Sequence, residues 1–253
     1  MMDNLTPKIT DDLLALGVRP GGVLLVHTSL KSLGPIPGGV ETVIHGLLTA
    51  LGEGGTLLMP ALSYDTVRSY HPVFDLRTTP SCVGALPEYF RTRTGTRRSL
   101  HPTHSVCALG PLTDKLLFPH KLDSTPCGSH SPFHRLPEFE GQILMLGCGL
   151  RPNTSMHAIE ELVEPPYLFS SPLVYTLIDE NGASFQKEYQ RHNFQGWEQR
   201  YDRVAEILAF PDLRFGNVLS AQAHLIEAQA LRKAALQALT KNPLYFVDPL
   251  TIP

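Results

Sequence analysis

The stretch VLLVHTSLKSLGPIPGGVETVIHGLLTALGEGGTLLMP, residues 23–60, decides the fold. It opens on VLLVH, apolar up to a terminal histidine, the pattern of a strand covered on both faces. After a loop rich in Gly and Pro, VETVIHGLLTALG carries its apolar residues at helical spacing and stops at Gly52. Gly54 and Gly55 then lead into a second continuous apolar run, TLLMPAL. Strand, helix and strand joined by such short punctuation form a βαβ crossover, which sets the two strands parallel in one sheet.

Outward from this unit the reading extends in both directions. Upstream, TPKITDDLLAL (residues 6–16) starts on Thr6 as a capping residue, spaces Ile9, Leu13, Leu14 and Leu16 as a helix does, and ends at Gly17. Downstream, residues 63–80 are rich in Tyr, Asp, His and Pro without periodicity and read as a long loop, a feature that is often functional in a compact domain. SVCAL (residues 105–109) and QILMLG (residues 142–147) are further apolar strands, and residues 170–191 read as a hairpin turning at Asn181-Gly182. Residues 196–208 and 220–239 are expected to be helices, and NPLYFVD (residues 242–248) a short strand or extended tail.

With 253 residues, 42% of them hydrophobic and 18% charged, residues 1–253 are expected to form a single domain with a sizeable core. The formal net charge of −3, with both signs interspersed, gives no electrostatic reason to expect nucleic acid or an anionic membrane as partner and favours a small-molecule substrate. Cys82, Cys107, Cys127 and Cys148 stand far apart without a C-x-x-C pair, which disfavours a zinc knuckle or redox motif and suits small buried residues in a reducing compartment. The N-terminus lacks the basic and apolar regions of a signal peptide, and no apolar run approaches the ~20 residues of a membrane span, so a cytoplasmic location is expected. Oligomeric state is not legible from the chain.

Three segments can carry chemistry. VHTSLKSLG (residues 26–34) delivers Thr28, Ser29, Lys31 and Ser32 from a buried strand into a turn, where hydroxyls and backbone N–H groups can form an anion nest. Simple capping of the next element explains the same residues equally well. No GxxxxGK[ST] or GxGxxG accompanies them, so neither ATP hydrolysis nor a nicotinamide cofactor is indicated. RRSLHPTHSVCALG (residues 97–110) offers Arg97 and Arg98 to a phosphate. His101 and His104 lack a third ligand at a recognisable spacing, so a histidine locked by the turn at Pro102 is favoured over a metal. NTSMHAIEELVEPPY (residues 153–167) reads as a helix closed before Pro165-Pro166, with Glu160 three and Glu161 four residues after His157. One helix face then holds an imidazole and a carboxylate, the pairing of an oriented general base. A surface histidine beside acids is the commoner outcome of that spacing, which alone leaves both open.

Taken together, five collinear blocks resemble the aminoglycoside 3-N-acetyltransferase family: GVRPGGVLLVHTSLKSLG, GGVETVIHGLLTALGEGGTLLMPALS, RRSLHPTHSVCALGP, SPFHRLPEFEGQILMLG, and NTSMHAIEE followed by PPY. The resemblance spans nearly the whole chain. It implies an α/β/α layered fold with a central mixed, largely parallel sheet, acetyl-CoA as cosubstrate and direct transfer to a small-molecule amine; from the ligand spacing, no metal is expected. By the same resemblance Thr28, Ser29, Leu30, Lys31 and Ser32 would line the CoA site, with Thr103 and Ser105 bordering its tunnel. His157 would be the general base and Glu160 its orienting acid. Asp65 matches an acidic position that faces the acceptor, and Glu161 and Glu164 add charge nearby.

One departure concerns the acceptor. Family members that modify aminoglycosides carry a carboxylate and a histidine close together shortly after the hairpin, whereas EYQRHNFQGWEQRY (residues 188–201) has Arg191, His192, Gln195, Gly196 and Trp197 there. The leading expectation is N-acetylation of an aminoglycoside at the 3-amino group of its 2-deoxystreptamine ring. A less cationic amine in a biosynthetic reaction, with Arg191 contacting it, is the alternative; hydrolysis of the acyl donor and a non-catalytic CoA-binding module are lesser ones.

Overall fold

The computed structural model describes residues 5–250. Helix α1 (Thr6–Leu16) precedes the expected crossover of β1 (Val23–Thr28), α2 (Gly39–Leu51) and β2 (Thr56–Pro60), in which β1 and β2 run parallel with Leu24 opposite Leu57. Then follow β3 (Val73–Asp75), α3 (Ala85–Thr92), β4 (Arg97–Arg98), β5 (Val106–Leu109), α4 (Thr113–Leu117), α5 (Pro132–Arg135), β6 (Gln142–Leu146) and α6 (Ser155–Glu160). The hairpin β7 (Phe169–Ile178) and β8 (Ser184–His192) comes next. The chain continues through β9 (Trp197–Gln199), α7 (Val204–Ile207), β10 (Leu213–Val218), β11 (Ala221–Glu227), α8 (Ala228–Lys241) and β12 (Val247–Pro249).

The main sheet has the order β10-β11-β6-β1-β2-β5-β4. Its centre, β6, β1 and β2, is parallel, and the flanking strands join antiparallel, so the sheet is mixed as expected. Strand alternation divides β1 between two layers. Val23 and Leu25 pack with Met156 and Ile159 of α6 and with Leu231 and Leu239 of α8, whereas Leu24 and Val26 pack with Ile9 and Leu13 of α1 and Val43 and Leu47 of α2. Both faces being covered is why VLLV is apolar without a break. Full burial of each such leucine stabilises by roughly 1.5–3 kcal/mol. The α1–α2 contact needs Gly46, because a Cβ there would stand 2.4 Å from Ile9 Cγ2.

Several expectations are corrected. Thr6 is the first residue of α1 rather than its cap, which is Leu5 with no side-chain cap bond. The long loop contains β3, which pairs in parallel with β7 and buries Phe74 in a small core with Tyr175, Leu177 and Tyr189. Residues 220–227 are not helical: β11 fills the slot beside β6, and only α8 keeps the expected helix. The alanines and leucines there suit a helix, but the place beside β6 supplies backbone partners that override the propensity. Within residues 196–208, β9 pairs with β12, and only one turn, α7, is α-helical after a 3-10 turn at Tyr201–Arg203. All four cysteines are free thiols; Cys107 and Cys127 are buried, and Cys82 and Cys148 are half-buried. Among the described residues no helix is long and apolar enough to cross a membrane.

Candidate active site

The three parallel strands end on one edge of the sheet, the usual place for ligand sites in such folds. There β1 presents His27 and Thr28, the chain after β2 presents Leu62 and Tyr64, and β6 gives way to Gly147 and Cys148. Gly147 adopts φ 71°, and a Cβ on it would stand 2.6 Å from Ser32 Cβ, so the two loops touch through glycine. Ser32 Oγ donates to Gly147 O at 2.8 Å, which ties the turn after β1 to the end of β6.

Above this edge sits α6, a helix much shorter than the sequence suggested. Asn153 Oδ1 accepts from Ser155 N at 3.1 Å at its start, and the helix ends with Glu160. His157 and Glu160 share a face as the spacing implied, and Nδ1–H of His157 donates to Glu160 Oε2 at 3.0 Å. Glu160 is fully buried and also accepts from Tyr201 OH at 2.7 Å and Tyr167 OH at 2.8 Å. Burial and the adjacent carboxylate push both phenols up, so both remain donors. Tyr201 OH also lies 2.9 Å from His157 Nδ1. With Nδ1 carrying the proton toward this carboxylate, Nε2 of His157 presents a lone pair, the tautomer a general base requires.

Two cavities lie near this ring, which lines neither of them. The narrower, about 240 Å³, is lined by His27, Thr28, Leu62, Tyr64, Cys148, Arg151 and Tyr201 among others. The wider, about 450 Å³, is lined by Tyr64, Arg68, Tyr70, Thr103, His104, Tyr175, Arg191, His192 and Phe194 among others. Tyr64 belongs to both. The His157 ring centroid lies 5.5 Å from that of Tyr201 on one side, and 6.0 and 4.9 Å from those of His104 and His192 on the other. His157 is therefore packed against lining residues of both cavities without lining either.

A second histidine–carboxylate pair stands beside the first. His192 Nε2 lies 2.8 Å from Glu161 Oε1, and Glu161 also accepts from Thr125 Oγ1 at 2.6 Å and Cys127 N at 2.7 Å. Burial pushes the Glu161 carboxyl up to about 6 against the pull of those hydrogen bonds. Burial, with His157 nearby, likewise holds His192 well below the usual imidazole range, and His104 is lowered by burial and its histidine neighbours. His27 is pushed down to about 3, first by burial and then by His157. These rings are neutral near pH 7. His27 Nε2 and Thr28 Oγ1 are buried polar atoms without a hydrogen-bond partner, both beside the narrower cavity. One nitrogen each of His104, His157 and His192 lie within 4.8 Å of one another, a grouping able to hold a metal ion.

The remaining expected residues fall as follows. Thr28 lines the narrower cavity; Ser29 precedes the 3-10 turn Leu30–Leu33, on which Lys31 is exposed and Leu30 and Ser32 are half-buried. Thr103 lines the wider cavity instead. Ser105 is fully buried, its hydroxyl accepting from Arg98 Nε at 2.8 Å and donating to Ala61 O at 2.7 Å. Arg98 also donates to Thr79 O and Ala61 O and stacks over Phe74, while Arg97 pairs with Asp114 and Glu180, so both guanidinium groups are engaged by protein partners. His101 Nδ1 accepts from the backbone of Thr103 and His104, the turn-locked role expected of it. Asp65 pairs with Arg68 at 2.9 Å, and Arg191 donates to Ser171 at the rim of the wider cavity. Glu161 acts on that cavity through His192. No local sequence pattern marks Tyr167, Tyr201 or Thr125, and His192 entered only as a departure from the family pattern.

Fold and site together define a mixed α/β protein with a histidine–carboxylate pair set behind the walls of two cavities. The model of the aminoglycoside 3-N-acetyltransferase family matches residues 25–240, and the chain belongs to that family. Aminoglycoside N(3)-acetyltransferase IV of Salmonella sp is 32% identical over 250 residues, covering 96% of this chain and 90% of its own. The crystal structure of aminoglycoside acetyltransferase AAC(3)-IVa as a histidine-to-alanine mutant bound to gentamicin superposes with TM-score 0.83 at 32% identity, covering 96% and 91% of the two chains. AAC-IIIb in a binary complex with CoASH gives TM-score 0.81 at 28% identity, covering 97% and 98%.

Proposed function

We propose that this chain transfers the acetyl group of acetyl-CoA directly to an amino group of an aminoglycoside, at the 3-amino group of the 2-deoxystreptamine ring, with His157 as general base. The observation that carries the reading is His157 packed between lining residues of the two cavities, Tyr201 of one and His104 and His192 of the other, with its Nδ1–H on Glu160. Acetyl-CoA enters through the narrower cavity, its thioester near Thr28 and its phosphates toward Ser29–Ser32 and Lys31. The acceptor occupies the wider cavity. His157 Nε2 takes the proton as the amine nitrogen bonds to the thioester carbonyl carbon; the C–S bond then breaks, and CoA leaves as the thiol after taking a proton. Glu160 stabilises the imidazolium that forms, and Tyr201 and Tyr167 hold that carboxylate in place. Thr28 Oγ1 and His27 Nε2, unpartnered beside the donor cavity, are the groups available to donate to the developing oxyanion. A cytosolic donor agrees with the cytoplasmic location expected from the sequence.

A second reading of the acceptor has its own observation. The residues lining the wider cavity include Arg68 and Arg191 and no carboxylate, and Asp65 nearby is paired with Arg68. An amine that also carries a carboxylate or phosphate meets this wall more favourably than a polycation does. Free-thiol release measured with acetyl-CoA and two acceptor panels, aminoglycosides and amino acid-like amines, decides between them. The aminoglycoside reading predicts release with the first panel that His157→Ala abolishes; turnover confined to the second panel replaces that acceptor, and release from neither removes the transferase claim.

A further inference from the structure

Three imidazoles from distant parts of the chain meet behind the wall of the wider cavity: His104 from the turn before β5, His157 from α6 and His192 from the end of β8. In each, one nitrogen is engaged from outside the cluster. Glu160 holds His157 Nδ1 at 3.0 Å, Glu161 holds His192 Nε2 at 2.8 Å, and Thr103 Oγ1 holds His104 Nδ1 at 2.9 Å. This leaves His157 Nε2, His104 Nε2 and His192 Nδ1 as the nitrogens available to a shared ligand, and His192 Nδ1 is buried with no hydrogen-bond partner.

We propose that His104, His157 and His192 form a binding site for a divalent transition-metal ion of the zinc class, and that its occupation withdraws His157 Nε2 from proton transfer. Neutral imidazoles are the ligands that zinc, cobalt, nickel and copper favour. Two of the three rings are backed by a carboxylate on the far nitrogen, the arrangement that fixes the tautomer and raises the donor strength of metal-bound histidines. Arg68 and Arg191 line the same cavity as His104 and His192, but Glu160 and Glu161 stand directly behind two of the rings, where they favour a bound cation.

The geometry requires a modest closure. Zinc–nitrogen bonds of about 2.0–2.1 Å in a tetrahedron place ligand nitrogens roughly 3.4 Å apart, against a limit of 4.8 Å here. Rotation of the three ring side chains has to supply that difference. The fourth position opens on the wider cavity, which His104 and His192 line, and admits water or an amine. Binding displaces no proton from the protein when each outer nitrogen keeps its N–H. At His104 this needs Nδ1–H donating to Thr103 Oγ1, and a hydroxyl accepts as readily as it donates.

The proposal shares His157 with the transferase reading, but its test does not depend on turnover. The full chain, stripped with a chelator, is titrated with Co²⁺ and then with Zn²⁺. One equivalent of Co²⁺ is expected to give the intense visible absorption of a tetrahedral nitrogen site, and Zn²⁺ to bleach it. The double variant His104→Gln/His192→Gln should lose the bands and bind Zn²⁺ at least 100-fold more weakly; should it not fold by circular dichroism, His192→Gln alone carries the same expectation. In parallel, stoichiometric Zn²⁺ should suppress any acetyl transfer, and the chelator should restore it. Absence of a one-equivalent site, or Co²⁺ bands unchanged in the variant and therefore arising elsewhere, as at Cys82 or Cys148, overturns the proposal.

Discussion

Replacing Glu160 with glutamine perturbs the group behind the proposed base while keeping its size. Glu160 Oε2 now accepts from His157 Nδ1 at 3.0 Å and from Tyr201 OH at 2.7 Å, while Oε1 accepts from Tyr167 OH at 2.8 Å. A glutamine that keeps its oxygen toward Tyr167 turns an NH₂ toward His157 and Tyr201. Nδ1 must then accept, the ring proton moves to Nε2, and the lone pair that faces the acceptor is gone. Restoring the working tautomer leaves two donors face to face in a buried site, which costs about 3–5 kcal/mol when the lost charge-assisted bond is included. The expected outcome is a fall in kcat of about 10²–10⁴-fold, in the range seen when the acid behind a catalytic histidine is neutralised. Because Glu160 lines neither cavity, KM for acetyl-CoA should change less than about threefold. Thiol release under saturating acetyl-CoA and acceptor measures both constants, with a thermal melt to show that the variant is folded. A folded Glu160→Gln protein with kcat within about fivefold of the parent would refute the role assigned to the pair.

Acid should weaken the fold early. His27 and His120 are each held at about 3, mainly by burial, against 6.5 for a free ring, so an unfolded chain binds their protons first. The stability they contribute is whole above about pH 6.5 and is lost as pH falls toward 3, at about 1.4 kcal/mol per pH unit for each ring. Glu161, held up at about 6, gains stability as pH falls from about 6 to 4.5 and offsets one ring over that interval only. Urea unfolding should therefore show markedly lower stability near pH 5 than near pH 7.5, less so in His120→Gln; equal stabilities at the two pH values contradict this. At the donor site, exposed Lys31 should attract the CoA phosphates, so Lys31→Ala should raise KM for acetyl-CoA about 5–20-fold with kcat unchanged. An unchanged KM would move the phosphates elsewhere. Arg191→Ala removes a cation from the rim of the wider cavity and should lower KM for polycationic acceptors about two- to fivefold while raising it for carboxylate-bearing amines. The opposite pattern would place the acceptor away from Arg191.

The centre of the fold was legible because parallel strands buried on both faces write themselves as unbroken apolar runs, as VLLV in β1 and ILML in β6 do. β11 was not, since its sequence reads as the first turns of α8 until β6 supplies its partner. β3, three residues long, is too short for periodicity to register. At the site, His157 and Glu160 could be read because three residues on one helix bring them together, and the family blocks separated them from a surface pair. Tyr201 lies 44 positions from His157, and His192 lies 31 from Glu161, so neither contact leaves a local pattern. Thr103 sits on the wider cavity because the turn that His101 locks directs it there, a consequence of tertiary packing that local sequence does not carry.

The most direct test of the central claim is the product itself. The full chain is incubated with acetyl-CoA and a gentamicin-type aminoglycoside, and the acceptor is analysed by mass spectrometry and NMR beside a His157→Ala control. The account predicts one acetyl group on the 3-amino nitrogen, one CoA thiol released for each acetyl transferred, and a rate at least about 10³-fold lower in the variant. CoA released without an acetylated amine, or His157→Ala forming the same product at the parent rate, would contradict it.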